Sequence, residues 1–131
     1  QKHNSFFEPN RTTHDYLSND KQKVDEYVAD ELCGYPNTIQ LWLDLAEGFQ
    51  NLWSKKTFSK FDEKIPFLHI SGDHDKVNNN GIQAENIHNL LIESGFKSEL
   101  IIFKDMRHEP FQEKDRQKVF EKVINFYVAN I

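Results

Sequence analysis

The protein has 131 residues, the usual size of one domain, and a net charge of −5. Aromatic residues make up 13% of the chain, which favours a packed core over disorder. The basic residues are scattered along the sequence, so we expect no nucleic-acid partner, because binding nucleic acid needs a concentrated positive face.

Two features of the sequence bear on where the protein works. The single cysteine, Cys33, excludes an internal disulfide framework and fits a reducing cytoplasm. No apolar run approaches the roughly 20 residues of a membrane span, and the N-terminus has no signal peptide. We therefore expect a cytoplasmic protein. Because the sequence begins with Gln1 and not with Met, we also expect a chain that has been cut or truncated.

The first half of the chain, residues 1–62, has helical patterns and no strand signals. Asp20 is placed to cap a short helix. A second helix follows Pro36, and apolar side chains at helical spacing cover more than half of its circumference: Ile39, Leu41, Trp42, Leu45, Ala46, Phe49, Leu52 and Trp53. Such a helix must be covered on two sides, by protein or by a ligand. From the residues alone, the core of the domain and a subunit interface are the simplest roles for it.

The second half, residues 63–131, alternates strand, helix, strand and helix. Short apolar runs at 67–70 and 99–103 predict the strands, and the helix between them is followed by a capping Gly95. The final helix is predicted to start near Glu113 and to turn these side chains toward the sheet: Val119, Phe120, Val123, Phe126 and Tyr127. The alternation predicts a parallel, layered α/β fold.

Two loops that follow these strands carry chemically reactive side chains. The acid loop (residues 71–77) contains Asp73 and Asp75, and the histidine loop (residues 104–109) contains His108. Because both loops follow the carboxyl ends of parallel strands, we expect them to meet at one edge of the sheet. A carboxylate there could fix the tautomer of an imidazole that takes a proton from a nucleophile.

Simpler roles compete with this interpretation. An Asp after a strand is more often a turn or helix cap, and a lone His in a loop is more often solvated. The order strand, Asp, helix, strand, His, helix favours the catalytic role. A metal site built from His69, His74, Asp75 and His108 is not expected, since His69 lies within a strand and no paired histidine helix or cysteine cluster exists. No glycine-rich phosphate loop follows a strand, and we expect no cofactor and no metal.

The loop sequences resemble those of a known superfamily. Residues 72–77, GDHDKV, resemble the G-x-x-D-x-V loop that carries the acid of many α/β-hydrolases, and residues 106–109, MRHE, resemble their histidine loop. Residues 4–18 and 24–34 are similar to the cap of bacterial lysophospholipase-like proteins. The resemblance implies that Asp75 is the acid and His108 the base. Lys76, where the family usually has Pro, is a departure, and so is the Pro-Phe pair at 110–111.

The resemblance implies an α/β fold that is the C-terminal part of an α/β-hydrolase of the lysophospholipase or monoacylglycerol lipase type. Residues 1–62 would form the helical cap, and residues 63–131 would form the end of the hydrolase core. The cap of this family lies over the active site and helps to line the acyl pocket. Trp42, Phe49 and Trp53 are therefore candidate pocket residues, beside the core and interface roles. The substrate would be a lipid-like ester, such as a lysophospholipid or a monoacylglycerol.

The nucleophile of the superfamily is missing from this sequence. That serine lies in a G-x-S-x-G elbow before the cap. None of the seven serines has this setting: Ser5, Ser18, Ser54, Ser59, Ser71, Ser94 and Ser98. We expect the chain alone to be inert and to need the missing N-terminal part of the hydrolase as its partner. The alternative is a non-catalytic binding module. Either way, an uncovered sheet edge predicts a two-fold homodimer.

Overall fold

The structure, a computed structural model, describes residues 2–50, 52 and 54–130. In chain order the described residues form a 3₁₀ helix at Asn4–Phe7, helices α1 (Lys21–Ala29), α2 (Ile39–Gln50) and α3 (Lys55–Phe58), strand β1 (Phe67–Gly72), helix α4 (Ile82–Glu93), strand β2 (Ser98–Phe103), a 3₁₀ helix at Pro110–Gln112 and helix α5 (Arg116–Val128). Among these residues, no helix combines the length and the apolar character that a membrane span requires.

The sheet confirms the predicted strand, helix, strand, helix order. β1 and β2 pair in parallel, with Phe67 opposite Ser98 and Gly72 opposite Phe103. Because the strands are parallel, their carboxyl ends lie at the same edge, and the acid loop and the histidine loop leave the sheet side by side. α4 makes the crossover between the two strands, and its C-terminus is followed by Gly95 with a φ of +90°.

The core is an aromatic cluster beside the start of β1. Phe58, Leu91 and Phe96 are buried together, and Phe67 packs against them. The rings of Phe67 and Phe96 meet edge to face, with centroids 5.5 Å apart, an arrangement that aromatic pairs favour. Phe58 precedes residue 62, so the first half of the chain contributes a side chain to the packing of α4 on the sheet.

Helix α5 differs from its prediction in start and in burial. It begins at Arg116, because a 3₁₀ turn occupies Pro110–Gln112 and Glu113 has an extended backbone. Val119 is fully buried, but Phe120 is 41% and Tyr127 67% exposed, so their predicted inward orientation is wrong for the described chain. Among the described residues, α5 packs mainly against the 3₁₀ turn at Pro110–Gln112, and the narrow two-stranded sheet leaves Phe120 and Tyr127 uncovered.

Helix α2 lies apart from the core. Every residue of Ile39–Gln50 is exposed, including Trp42 at 59% and Phe49 at 56%. A role for this helix in the core is therefore wrong for the part of the chain that the structure describes. The pattern correctly predicted a helix that is apolar over much of its surface, and nothing in residues 2–50, 52 and 54–130 buries that surface.

Candidate active site

Asp75 lies in the turn between β1 and α4 and is almost completely buried. The residue is 3% exposed. Oδ1 accepts hydrogen bonds from the backbone N–H groups of Val77, at 2.8 Å, and Asn78, at 3.3 Å. These bonds are those of an Asx turn, which was the simpler role considered for this residue. They also fix the carboxylate in one orientation.

His108 follows β2 and faces this carboxylate. Its Nδ1 lies 3.0 Å from Oδ2 and 3.1 Å from Oδ1 of Asp75. The imidazole keeps 36% of its surface exposed, so the ring is held through Nδ1 and is still accessible from outside. The structure thus brings together the two residues that the sequence singled out. A carboxylate on Nδ1 favours the tautomer in which Nε2 can accept a proton.

The two groups change each other's pKa. For Asp75, burial is the largest single influence and raises the pKa. The hydrogen bond and charge of His108, together with the N–H of Val77, lower the pKa by more than burial raises it, so the net pKa lies below 3.8. For His108, the hydrogen bond to Asp75 raises the pKa above 6.5 and outweighs the opposing effect of burial. Asp75 is therefore ionised at neutral pH, and His108 is a stronger base than a free imidazole.

Backbone and side-chain hydrogen bonds join the acid loop to the histidine loop. The backbone N–H of Asp105 donates to Oδ1 of Asp73 at 2.7 Å, and the N–H of His74 donates to the carbonyl of Met106 at 2.9 Å. Asp105 has a φ of +60°, a left-handed conformation that Asp tolerates better than most residues. Asp73 thus contributes to the site by fixing the histidine loop, and it is distinct from the residue that contacts His108.

Gly72 permits the close approach of these loops. A Cβ atom at this position would lie 2.1 Å from the carbonyl oxygen of Met106 and 2.5 Å from that of Arg107. Both neighbours are backbone atoms, which cannot move aside without displacing the histidine loop. The glycine that opens the G-x-x-D pattern therefore has a physical reason: any side chain would separate Asp75 from His108.

The histidine loop is also fixed from its other side, by residues 14–19. The N–H of His108 donates to the carbonyl of Tyr16 at 3.3 Å, and the N–H of Glu109 donates to that of Leu17 at 2.8 Å. The rings of Tyr16 and His108 are 6.1 Å apart between centroids. Sequence reasoning missed this contact, because nothing in the local pattern of residues 14–19 indicates a partner about ninety residues further along the chain.

The remaining candidate residues have other positions. Trp42 and Phe49 are on α2, so neither side chain is enclosed by the described chain, and Trp53 lies outside the described residues. Of the four residues weighed for a metal, His74 alone belongs to a cluster of described residues that could hold an ion, together with Asp73 and Asp105. That cluster is mainly exposed, and Asp73 already accepts a hydrogen bond from Asp105.

The β1–α4–β2 unit, with an acid and a histidine at the carboxyl edge of its strands, has the architecture of the C-terminal part of an α/β-hydrolase. Residues 2–115 match the family described as serine aminopeptidase, S33. The chain therefore belongs to this family of hydrolases, which confirms the predicted superfamily.

A solved structure shares the fold. The crystal structure of a highly thermostable carboxyl esterase from Bacillus coagulans, in complex with glycerol, superposes with a TM-score of 0.84 at 23% identity. The match covers 95% of this chain and 41% of the esterase chain, so the chain spans less than half of that protein's length. No curated protein matches this chain.

Proposed function

We propose that this chain supplies the acid, Asp75, and the base, His108, of a serine hydrolase that cleaves carboxylic esters. The observation that carries the proposal is the buried carboxylate of Asp75 in hydrogen-bond contact with Nδ1 of His108. A solvated histidine or a simple turn aspartate would not need this contact. The family to which the chain belongs supports the same chemistry.

In the proposed mechanism His108 transfers a proton twice. Nε2 takes the proton of the serine hydroxyl as its oxygen attacks the ester carbonyl, and the imidazolium then protonates the departing alcohol. In the second half of the reaction, Nε2 takes a proton from water as the water oxygen attacks the acyl-serine. The proton then passes to the serine oxygen as the carboxylic acid leaves. Asp75 remains ionised and stabilises the imidazolium throughout, as its lowered pKa requires.

The nucleophile is proposed to come from a serine elbow outside residues 1–131. Ser71, the first residue of the acid loop, is 1% exposed, and its hydroxyl accepts a hydrogen bond from the Asn78 amide and donates to the carbonyl of Gly72. Ser98 does contact a histidine, His88, at 2.8 Å. However, Ser98 starts β2 whereas His108 follows its end, and a six-residue strand separates them by about 17–20 Å.

The proposed substrates are lysophospholipids or monoacylglycerols. The exposed apolar surface of α2, with Trp42 and Phe49, could line an acyl pocket once the rest of a hydrolase covers it, and Trp53 is proposed to join them. The esterase with the similar fold binds glycerol, the alcohol part of a monoacylglycerol. A peptidase is the second candidate, because the matching family is described as a serine aminopeptidase.

The test uses the protein encoded by the open reading frame that contains residues 1–131. Its turnover is measured on p-nitrophenyl esters of increasing acyl length, on lysophosphatidylcholine and on aminoacyl p-nitroanilides. We expect ester cleavage, labelling by a fluorophosphonate, and loss of both in a His108→Ala variant. His74→Ala is the matched control, since His74 is an exposed histidine of the acid loop, and its activity should stay close to that of the unchanged protein.

Each outcome separates the candidates. Retained ester turnover in His108→Ala would refute the assignment of the base. Cleavage of the anilides without the esters would favour the peptidase. An open reading frame without a serine elbow, together with no labelling, would instead support the non-catalytic binding module, for which the exposed α2 surface is the natural contact face.

A further inference from the structure

Glu113 is a buried charged side chain that neither the fold nor the proposed reaction explains. Its exposed fraction is 0%, although glutamate is among the residues least often fully buried. It precedes α5, but Asp115 holds the N-cap position of that helix. A fully buried carboxylate must have hydrogen-bond partners to offset its loss of hydration. Those partners indicate its role.

The carboxylate connects two separate stretches of backbone. Oε1 accepts a hydrogen bond from the backbone N–H of Arg107 at 2.6 Å. Oε2 accepts from the N–H of Asn19 at 2.9 Å and from the hydroxyl of Ser18 at 3.1 Å. One side chain thus holds residues 18–19 and the residue that precedes His108 at a fixed separation.

Arg107 strengthens the same connection. Its Nη1 donates to the carbonyl of Ser18 at 3.2 Å, and its guanidinium lies 4.1 Å from the centre of the Phe7 ring. The backbone of Arg107 is therefore held by Glu113, while its side chain is held by the segment that Glu113 also contacts. This arrangement leaves little freedom to the peptide that carries His108.

We propose that Glu113 is a positioning residue, whose carboxylate fixes the backbone before His108 so that the imidazole meets Asp75. The inference rests on the proposed function, and Glu113 acts through Arg107 without contacting substrate. Catalytic geometry must be held to within about 0.5 Å, and a displacement of about 1 Å can reduce the rate about 10²-fold. A neutral amide at position 113 cannot replace the carboxylate, because it has one acceptor oxygen while donors lie on both sides.

The decisive comparison is Glu113→Gln against Asp115→Asn, in the protein encoded by the whole open reading frame. Both substitutions remove one negative charge, but Asp115 is exposed, and its side chain pairs with the exposed Lys118. We expect kcat per active site to fall about 10²-fold in E113Q with KM within about twofold, and D115N to match the unchanged protein. Active sites are counted by fluorophosphonate titration, so that a misfolded fraction does not count as lost turnover.

The pH dependence distinguishes positioning from general support of the fold. The titratable groups around His108 are Asp75, Glu109 and Tyr16. If E113Q moves the imidazole away from Asp75, the pKa of His108 should fall toward 6.5, and the acid limb of kcat/KM should move to lower pH. A lower melting temperature with unchanged kcat per active site and an unchanged acid limb would overturn the proposal.

Two further measurements keep the test decisive. If E113Q does not fold, Ser18→Ala is used instead, because it removes a single donor to Oε2. We expect Ser18→Ala to lower the pKa of His108 by less than the fall expected for E113Q, and an unchanged pKa would refute the positioning role. If the unchanged protein shows neither turnover nor labelling, the proposed function has failed. NMR titration of His108 in E113Q and D115N then decides the structural claim by itself, with a shift in E113Q alone supporting it.

Discussion

The two loops at the carboxyl edge of the sheet differ from helix α2 in whether their side chains find partners within the described chain. In the loops, polar groups are paired: the buried Asp75 accepts hydrogen bonds from three partners, and the half-buried Asp73 accepts one from the backbone N–H of Asp105. In α2, apolar groups are exposed: Trp42 and Phe49 each keep more than half of their surface in water.

This difference separates the contacts that the described chain makes by itself from the apolar surface that it leaves uncovered. The acid and histidine are brought together by hydrogen bonds that lie wholly within the described residues, so their geometry requires no other partner. The apolar surface of α2 is uncovered, and we propose it as an interaction site, because exposed apolar surface of this extent on a single helix is typical of one. We infer that the contact of Asp75 with His108 forms locally, whereas any cover of α2 depends on surface outside the described residues.

The largest effect should come from Asp75→Asn in the protein encoded by the whole open reading frame. An amide can place its N–H₂ against Nδ1 and so stabilise the wrong tautomer of His108, and kcat should fall about 10⁴-fold. Asp73→Asn is the control, because Asp73 contacts the backbone of Asp105 and not His108, and its amide oxygen can keep that bond. Rates are measured with a p-nitrophenyl ester. Equal losses in both variants would contradict the distinction between the two acids.

Gly72→Ala should disrupt the loop region by a steric effect. The added methyl group would overlap the backbone of Met106 and Arg107, and we expect the free energy of unfolding to fall by about 1–3 kcal/mol or more. Gly48→Ala in α2 is the matched control: a Cβ there meets nothing within 4 Å, and a helical alanine should stabilise by about 0.5–1 kcal/mol. Urea unfolding measures the free energy of unfolding of both variants, which should fall in Gly72→Ala and rise in Gly48→Ala. An unchanged free energy of unfolding in Gly72→Ala would refute the close approach of the loops.

The Asp75–His108 pair should contribute to stability between two pH limits. The pKa of Asp75 is lowered, so its contribution is present above about 3.8 and is lost as pH falls through the lowered value. The pKa of His108 is raised, so its contribution is present below 6.5 and is lost as pH rises through the raised value. Urea unfolding across pH should show that the free energy of unfolding falls at both pH limits. The His108→Gln variant should lack the fall at the higher limit. A stability profile that is the same in His108→Gln would contradict the coupling.

The smallest effect concerns α2. The isolated chain should self-associate through uncovered surface, either the outer edge of β1 or the apolar face of α2. Sedimentation velocity of the unchanged chain and of a Trp42→Glu, Phe49→Glu double variant distinguishes these surfaces. Weaker association of the double variant, at unchanged stability, would assign the contact to α2, and equal association would assign it to the sheet edge. A stable monomer at high concentration would contradict both.

Sequence patterns predicted the parts of this molecule that depend on short-range regularities. β1 follows from an apolar run between Pro66 and Gly72, and β2 follows from the apolar run at 99–103. The meeting of Asp75 with His108 follows from two loops at the same end of parallel strands. The start of α5 was misplaced by three residues, from Glu113 to Arg116, because the carboxylate of Glu113 is used in contacts with residues more than ninety positions away.

Burial on the helices was the other weakness of the sequence patterns. Periodicity identifies which residues share a face, but not whether the chain has enough other surface to cover that face. Tyr127 follows the same spacing as the buried Val119 and is 67% exposed, and the apolar faces of α2 have no cover in the described chain. These differences arise because burial of a helix face depends on segments distant in sequence, which local spacing does not encode.

The central claim is that Asp75 is the acid and His108 the base of a hydrolase, and that Asp75 orients the imidazole and raises its pKa. It is tested most directly by an NMR titration of the His108 imidazole in the unchanged chain and in Asp75→Asn. The account predicts a proton on Nδ1 in the neutral ring and a pKa above 6.5 that falls in the variant, because the hydrogen bond to Asp75 is the largest cause of the shift. An ordinary pKa that does not respond to Asp75→Asn would contradict the account.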